Sequence, residues 1–217
     1  MRFLVAPYLW MTSLDGEVSA RGRTAEVDVD FGEIWDDLDF GAQVHLEAWR
    51  GRWGAFADTT YLDLSDDPSS VDVDTRLWLV EFGGLYQLWK GHFARNWFND
   101  LGFDALAGGR YWNTRISIDP PNFPEAERSR DWADPFIGGR LQGDIVGDLF
   151  FSVGGNIGGF GVASHFTWSA TGLLGYRVTP LFSVLAGYRA LGVNYEQGGF
   201  GLDTTMRGPI VGASFSF

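Results

Sequence analysis

The chain has 217 residues, with 30 Gly, 18 Phe and 10 Trp, no Cys, and a formal net charge of -12. The lack of cysteine excludes disulfide frameworks, thiol catalysis and Cys-ligated metal sites, and the acidic balance excludes a nucleic-acid partner, which needs clustered Lys and Arg. Only 20% of residues are charged, below the ~25–35% usual on soluble surfaces, and the length suits one all-β barrel domain spanning residues 1–217.

Met1 and Arg2 lead straight into a strand-like run, Phe3 to Trp10, with no separate apolar core and no small-residue cleavage site. That start predicts no signal peptide, as in a mature chain or in one that never leaves the cytoplasm. The first strand, about 3–13, alternates poorly. Within 14–38 a hairpin of Gly16–Ala20 with Thr24–Asp30 is too polar on both faces to cross lipid and reads as an extracellular extension. A short acidic piece from Phe31 to Leu38 has the only helical period.

Period two then takes over. From Phe40 to Trp49, Ala42, Val44, Leu46 and Ala48 share one face, while Gln43, His45 and Glu47 share the other. From Arg76 to Leu88, Trp78, Val80, Phe82 and Tyr86 oppose Glu81 and Gln87. From Phe166 to Val178, Phe166, Trp168, Leu174 and Tyr176 oppose Thr167, Ser169, Thr171 and Arg177. Such unlike faces mean strands that meet two different environments. Ten strands are predicted, at about 3–13, 39–49, 53–64, 75–89, 101–117, 134–145, 149–158, 165–178, 181–195 and 204–217; eight is the alternative. The charge-free run from Leu149 to Tyr176 is long enough for a membrane helix, but its glycines and its alternation reject one.

Connections alternate in length. Arg50–Arg52, Val146–Asp148 and Thr179–Pro180 are tight turns, whereas 14–38, 65–74, 119–133, 159–164 and 196–203 are mostly longer and hold most of the acids. The segment Lys90–Asp100 breaks the rule, with Phe93, Trp97 and Phe98 placed for a membrane interface. Short turns on one rim and long loops on the other is the layout of an outer-membrane barrel. The acids read as solvated loops, or as oxygen ligands (Asp66, Asp67, Asp72, Asp74) for divalent cations bridging lipopolysaccharide.

A lipocalin-like barrel has the same alternation turned inside out. The polar faces here are too rich in Gly, Ser and Thr for a water-exposed surface, and the apolar faces carry the aromatics of a membrane girdle. The chain also ends Gly212-Ala213-Ser214-Phe215-Ser216-Phe217. Gly212, Phe215 and Phe217 resemble the C-terminal signal read by the barrel assembly machinery of Gram-negative bacteria, with Ile210 at the position that is polar in that signal. The segments GRWGAFADTTYLDLSDD (51–67), GGRYWN (108–113), DPFIGGRLQGD (134–144), GGFGVASHFTWSATGLLGYR (158–177) and LAGYRALGVNYEQGGFG (185–201) resemble a family of small, functionally uncharacterised Gram-negative outer-membrane β-barrel proteins. The resemblance covers the chain from about residue 40 onward. It implies a closed, antiparallel, up-and-down transmembrane β-barrel in the outer membrane, and it carries no catalytic residue. The even strand count and the alternation of short turns with long loops predict periplasmic termini and extracellular acidic loops.

The registers turn His45, Glu47, Asp58, Glu81, Asp104, Arg110, Arg140, Asp144, Arg177 and Arg189 into the lumen. Buried charges persist when paired, so these residues are expected to form an ion-pair network, with each arginine near a carboxylate. The expected function is a structural or surface-interaction role for a monomer in contact with membrane lipid and lipopolysaccharide, without cofactor or metal. A narrow channel for small polar solutes is the alternative. A rim hydrolase is the distant one. An omptin-type protease needs an Asp–His pair and an Asp pair at the outer rim; His165 sits near that rim with Asp203 as a conceivable neighbour, but no His-Asp signature surrounds either. A His-x-Ser deacylase motif is not matched by Ser164-His165-Phe166-Thr167, because adjacent strand residues face opposite ways. Neither His45 nor His92 improves either fit.

Overall fold

Strands with two unlike faces leave no exposed edge only when the sheet closes, and in lipid closure also pairs every backbone group along the wall. The computed structural model describes the backbone except at residues 21–22, 30–31, 33–37, 67–71, 93–99, 120–125 and 199. Side chains are described over 1–17, 28, 32, 42–62, 76–91, 100–115, 129–198 and 201–217. The strands are β1 (Arg2–Trp10), β2 (Ser13–Ala20), β3 (Arg23–Val29), β4 (Leu38–Arg50), β5 (Trp53–Asp66), β6 (Asp72–His92), β7 (Asp100–Asp119), β8 (Ala126–Asp144), β9 (Leu149–Gly158), β10 (Phe166–Arg177), β11 (Phe182–Gln197) and β12 (Phe200–Ser216). β1 and β4 to β12 pair antiparallel, neighbour to neighbour, and the β1–β12 contact closes them into the predicted ten-strand barrel.

β2 and β3 form a hairpin mounted on β12 outside that closure, where the sequence placed an extension. The strand expected at 3–13 is therefore shorter. β12 serves two partners in turn: from Ser216 to Ile210 it pairs with β1, and from Arg207 to Phe200 it pairs with β2. The handover falls at Met11, whose N–H donates to Pro209 O at 2.9 Å.

Several connections are shorter than expected because the strands run on past the apolar band. β7 reaches Asp119 and β8 begins at Ala126, so most of 119–133 is a ladder, with Asn113 facing Asp131 and Thr114 facing Arg130. β5 and β6 extend into 65–74 in the same way, and β11 and β12 into 196–203. Outside lipid both faces of a strand are polar, so the alternation that marks a strand disappears there. At the other rim β6 continues to His92, past a bulge between Gln87 and Trp89. Phe93, Trp97 and Phe98 lie outside the described residues, as does nearly all of the acidic piece at Phe31–Leu38.

The tight turns fall where expected. Gly51 and Gly147 take φ 64° and 59°, a left-handed conformation that glycine adopts without strain. Phe3 and Phe217 exchange backbone hydrogen bonds at 3.0 and 2.9 Å, which puts both termini on the tight-turn rim. Trp78, Phe82, Ile157, Leu174 and Tyr188 point outward and are about half exposed, forming an apolar outer wall.

Candidate functional site

The bore divides into three levels. The middle level is charged. Arg140 binds Glu47 through NH1, and its Nε and NH2 reach Asp104 Oδ2 at 3.3 and 3.1 Å, where Gln142 also donates at 3.0 Å. Glu47 accepts from Trp49 Nε1 at 2.7 Å and lies 2.9 Å from His45 Nε2. His45 Nδ1 is 3.0 Å from Asp58 Oδ2, so an imidazolium there satisfies two acceptors at once. Asp58 Oδ1 accepts from Tyr8 at 2.8 Å and from Arg189 NH1 at 3.0 Å. Arg189 NH2 binds Glu81, whose other oxygen takes Arg110 Nε at 3.0 Å and NH2 at 2.6 Å. Arg110 finishes on Asn156 Oδ1 at 2.7 Å and on Thr167 Oγ1.

The result is one continuous chain, Asp104–Arg140–Glu47–His45–Asp58–Arg189–Glu81–Arg110, which with its neutral partners draws on every barrel strand except β12. Three arginines and an imidazolium balance four carboxylates. Asp104 and Arg110 are fully buried, so the desolvation of each is offset only by these contacts. Room for such long side chains comes from inward glycines. Gly83 and Gly108 face each other on β6 and β7, and a Cβ on Gly108 would lie 2.9 Å from the Gly83 Cα. Arg177 and Asp144 stand apart from the chain, paired with each other at 2.6 Å nearer the tight-turn rim and partly exposed.

The level toward the long connections is apolar, and the sequence reading did not foresee it. Trp10, Leu79, Trp112, Trp132, Leu191, Val193, Tyr195, Met206 and Ile210 form one buried cluster inside the bore. Trp112 stacks on Trp132 at 5.6 Å and Trp132 on Tyr195 at 4.3 Å, with interplanar angles of 12° and 20°. The signal was present. Leu79, Trp112 and Leu191 each sit two residues from a charged lumen residue, on the same inward face: Glu81, Arg110 and Arg189. The layer is anchored by Asp134, which accepts from the Ser164 N–H at 2.7 Å and hydroxyl at 2.6 Å, while Trp132 Nε1 donates to Ser164 Oγ at 3.1 Å.

Below the charged level, toward the tight turns, lies a cavity of about 610 Å³, lined among others by Leu4, Trp49, Leu85, Phe150, Arg177 and Leu185.

At the long-connection rim His165 is exposed and shares a shallow groove with Trp168 and Asp203, while Ser164 is buried on the opposite side. Asp203 takes its hydrogen bond from Asn194 Nδ2 at 2.8 Å. The side chains of His92, Asp66, Asp67, Asp72 and Asp74 lie outside the described residues. Gly212 faces Tyr8 across the closing seam, where a Cβ would sit 2.7 Å from the Tyr8 Cβ; the Phe215 ring is 5.3 Å from Phe182.

No sequence-family profile matches the chain, and no curated protein matches it. Solved structures do. The outer-membrane protease OmpT from Escherichia coli aligns over 100% of this chain and 97% of its own, with 13% identity and a TM-score of 0.53. The attachment invasion locus protein Ail of Yersinia pestis, in complex with the heparin analogue sucrose octasulfate, aligns over 100% and 97% with 11% identity and a TM-score of 0.42. Neisserial surface protein A aligns over 100% and 97% with 13% identity and a TM-score of 0.39. The fold of this chain is that of the outer-membrane β-barrels.

Proposed function

We propose that the chain is an integral outer-membrane barrel with a sealed bore, which serves a structural or surface-interaction role at its long-connection rim. The observation that carries this reading is the Trp112–Trp132–Tyr195 stack, an aromatic layer across the lumen directly above the charged layer. The tight turns and both termini are periplasmic, and the acidic connections face outward, toward lipopolysaccharide. Gly212, Phe215 and Phe217 are offered to the barrel assembly machinery, and the barrel acts as a monomer. A solute conduit would need the aromatic layer to move aside. A rim hydrolase at His165 finds no support in Ser164, which is buried and engaged by Asp134.

Planar-bilayer recording tests the reading. Wild type should be silent, and Trp132→Ala, which removes the middle ring of the stack, should show discrete openings. Steady conductance from folded wild type would replace this proposal with the conduit.

A further inference from the structure

The cavity beneath the charged level has a size within the ~300–1,000 Å³ of small-ligand sites, and apolar and polar side chains share its lining. Along four neighbouring strands, β10, β11, β12 and β1, it presents Leu173, Leu185, Ile210 and Leu4, interspersed with Thr171, Ser183 and Ser214. Ile210 belongs to the aromatic layer and Leu173 packs against it, so these apolar residues meet that layer beside Arg189. The facing wall carries Glu47, Asp58 and Glu81, each already held by an arginine.

Toward the tight-turn rim the lining holds Arg2, Lys90 and Asp100. Arg2 and Lys90 are both exposed, and neither has a carboxylate partner among the described residues; Arg2 lies over the Trp49 ring at 5.8 Å. A guanidinium and an ammonium beside an apolar strip suit a ligand with an anionic head and a methylene chain, since charge-assisted pairs to carboxylate are the strong ones. We infer that this vestibule binds an aliphatic carboxylate. The chain lies along the leucine strip, and the head meets Arg2 and Lys90.

The test uses full-length protein folded in phosphatidylcholine vesicles, with dodecanoate bearing a terminal trifluoromethyl group followed by fluorine NMR. Partition into lipid gives a non-saturable background, and binding to the vestibule adds a saturable component. Leu185→Trp, which fills the strip, should weaken that component about tenfold, equivalent to about 1.4 kcal/mol. Arg2→Gln with Lys90→Gln should weaken the carboxylate by a similar factor and leave the matched alcohol unchanged. Leu4→Trp replaces Leu185→Trp if the latter loses its heat-dependent gel shift. Absence of a saturable component in folded wild type, an unchanged affinity in the filled variant, or equal binding of alcohol and carboxylate overturns the inference. Conductance is recorded on the same preparations, so an open bore and an empty vestibule are distinguished.

Discussion

Two levels of one bore, two residues apart on β6, β7 and β11, are held by opposite physics. In the charged level every contact is directional, and removing one partner leaves another buried and unpaired. In the aromatic level contacts are many and non-directional, and a lost atom costs only its own share. The contrast teaches where each kind of filling is useful. Paired charges tie distant strands such as β4 and β8, through Glu47 and Arg140, into one ring. Stacked rings close the space that such a ring leaves.

Arg110→Leu should break this contrast most severely. It leaves Glu81 with one cation and takes the guanidinium from Asn156 and Thr167, so unfolding by urea in lipid vesicles should register a loss of about 3–5 kcal/mol. A cost below about 1 kcal/mol, typical of exposed pairs, would mean that water reaches the layer. Leu174→Arg places an unpaired charge on the outer wall instead. At mid-membrane it should cost about 2–4 kcal/mol, and normal folding in bilayers together with shielding from lipid-phase quenchers would show the wall to be turned the other way. Ile210→Val should be mildest, about 0.5–1.5 kcal/mol, because the aromatic level loses a single methylene. A larger effect would show that this level is as tightly coupled as the charged one.

Much of this was readable from residue order. Period two in Phe40–Trp49, Arg76–Leu88 and Phe166–Val178 identified strands, and the same parity turned His45, Glu81 and Arg177 inward. The tight turns were marked by Gly51 and Gly147. What escaped notice had physical reasons. Arg128–Asp131 alternates nothing, since past the lipid both sides of a strand meet water, and its ladder with β7 is invisible without the partner. Trp132 fell within the expected 119–133 connection, and Trp112 drew no notice although it shares the parity of Arg110; residue type alone does not say which face is wet. Partner choice within the lumen depends on strand stagger, so nothing in the sequence foretold that Arg189 would join Asp58 to Glu81.

The division of β12 between two partners bears on the order in which the molecule is made. Leu4 pairs with Ser216 and Ala20 with Phe200, so strands made early wait for one made late. Until β12 exists, β1 has only β4 beside it, and the β2–β3 hairpin has no barrel strand to lean on. Contacts of such sequence separation form late and slowly. One closing event therefore completes the wall and mounts the extension above it, and a chain cut short before Phe200 would lose both.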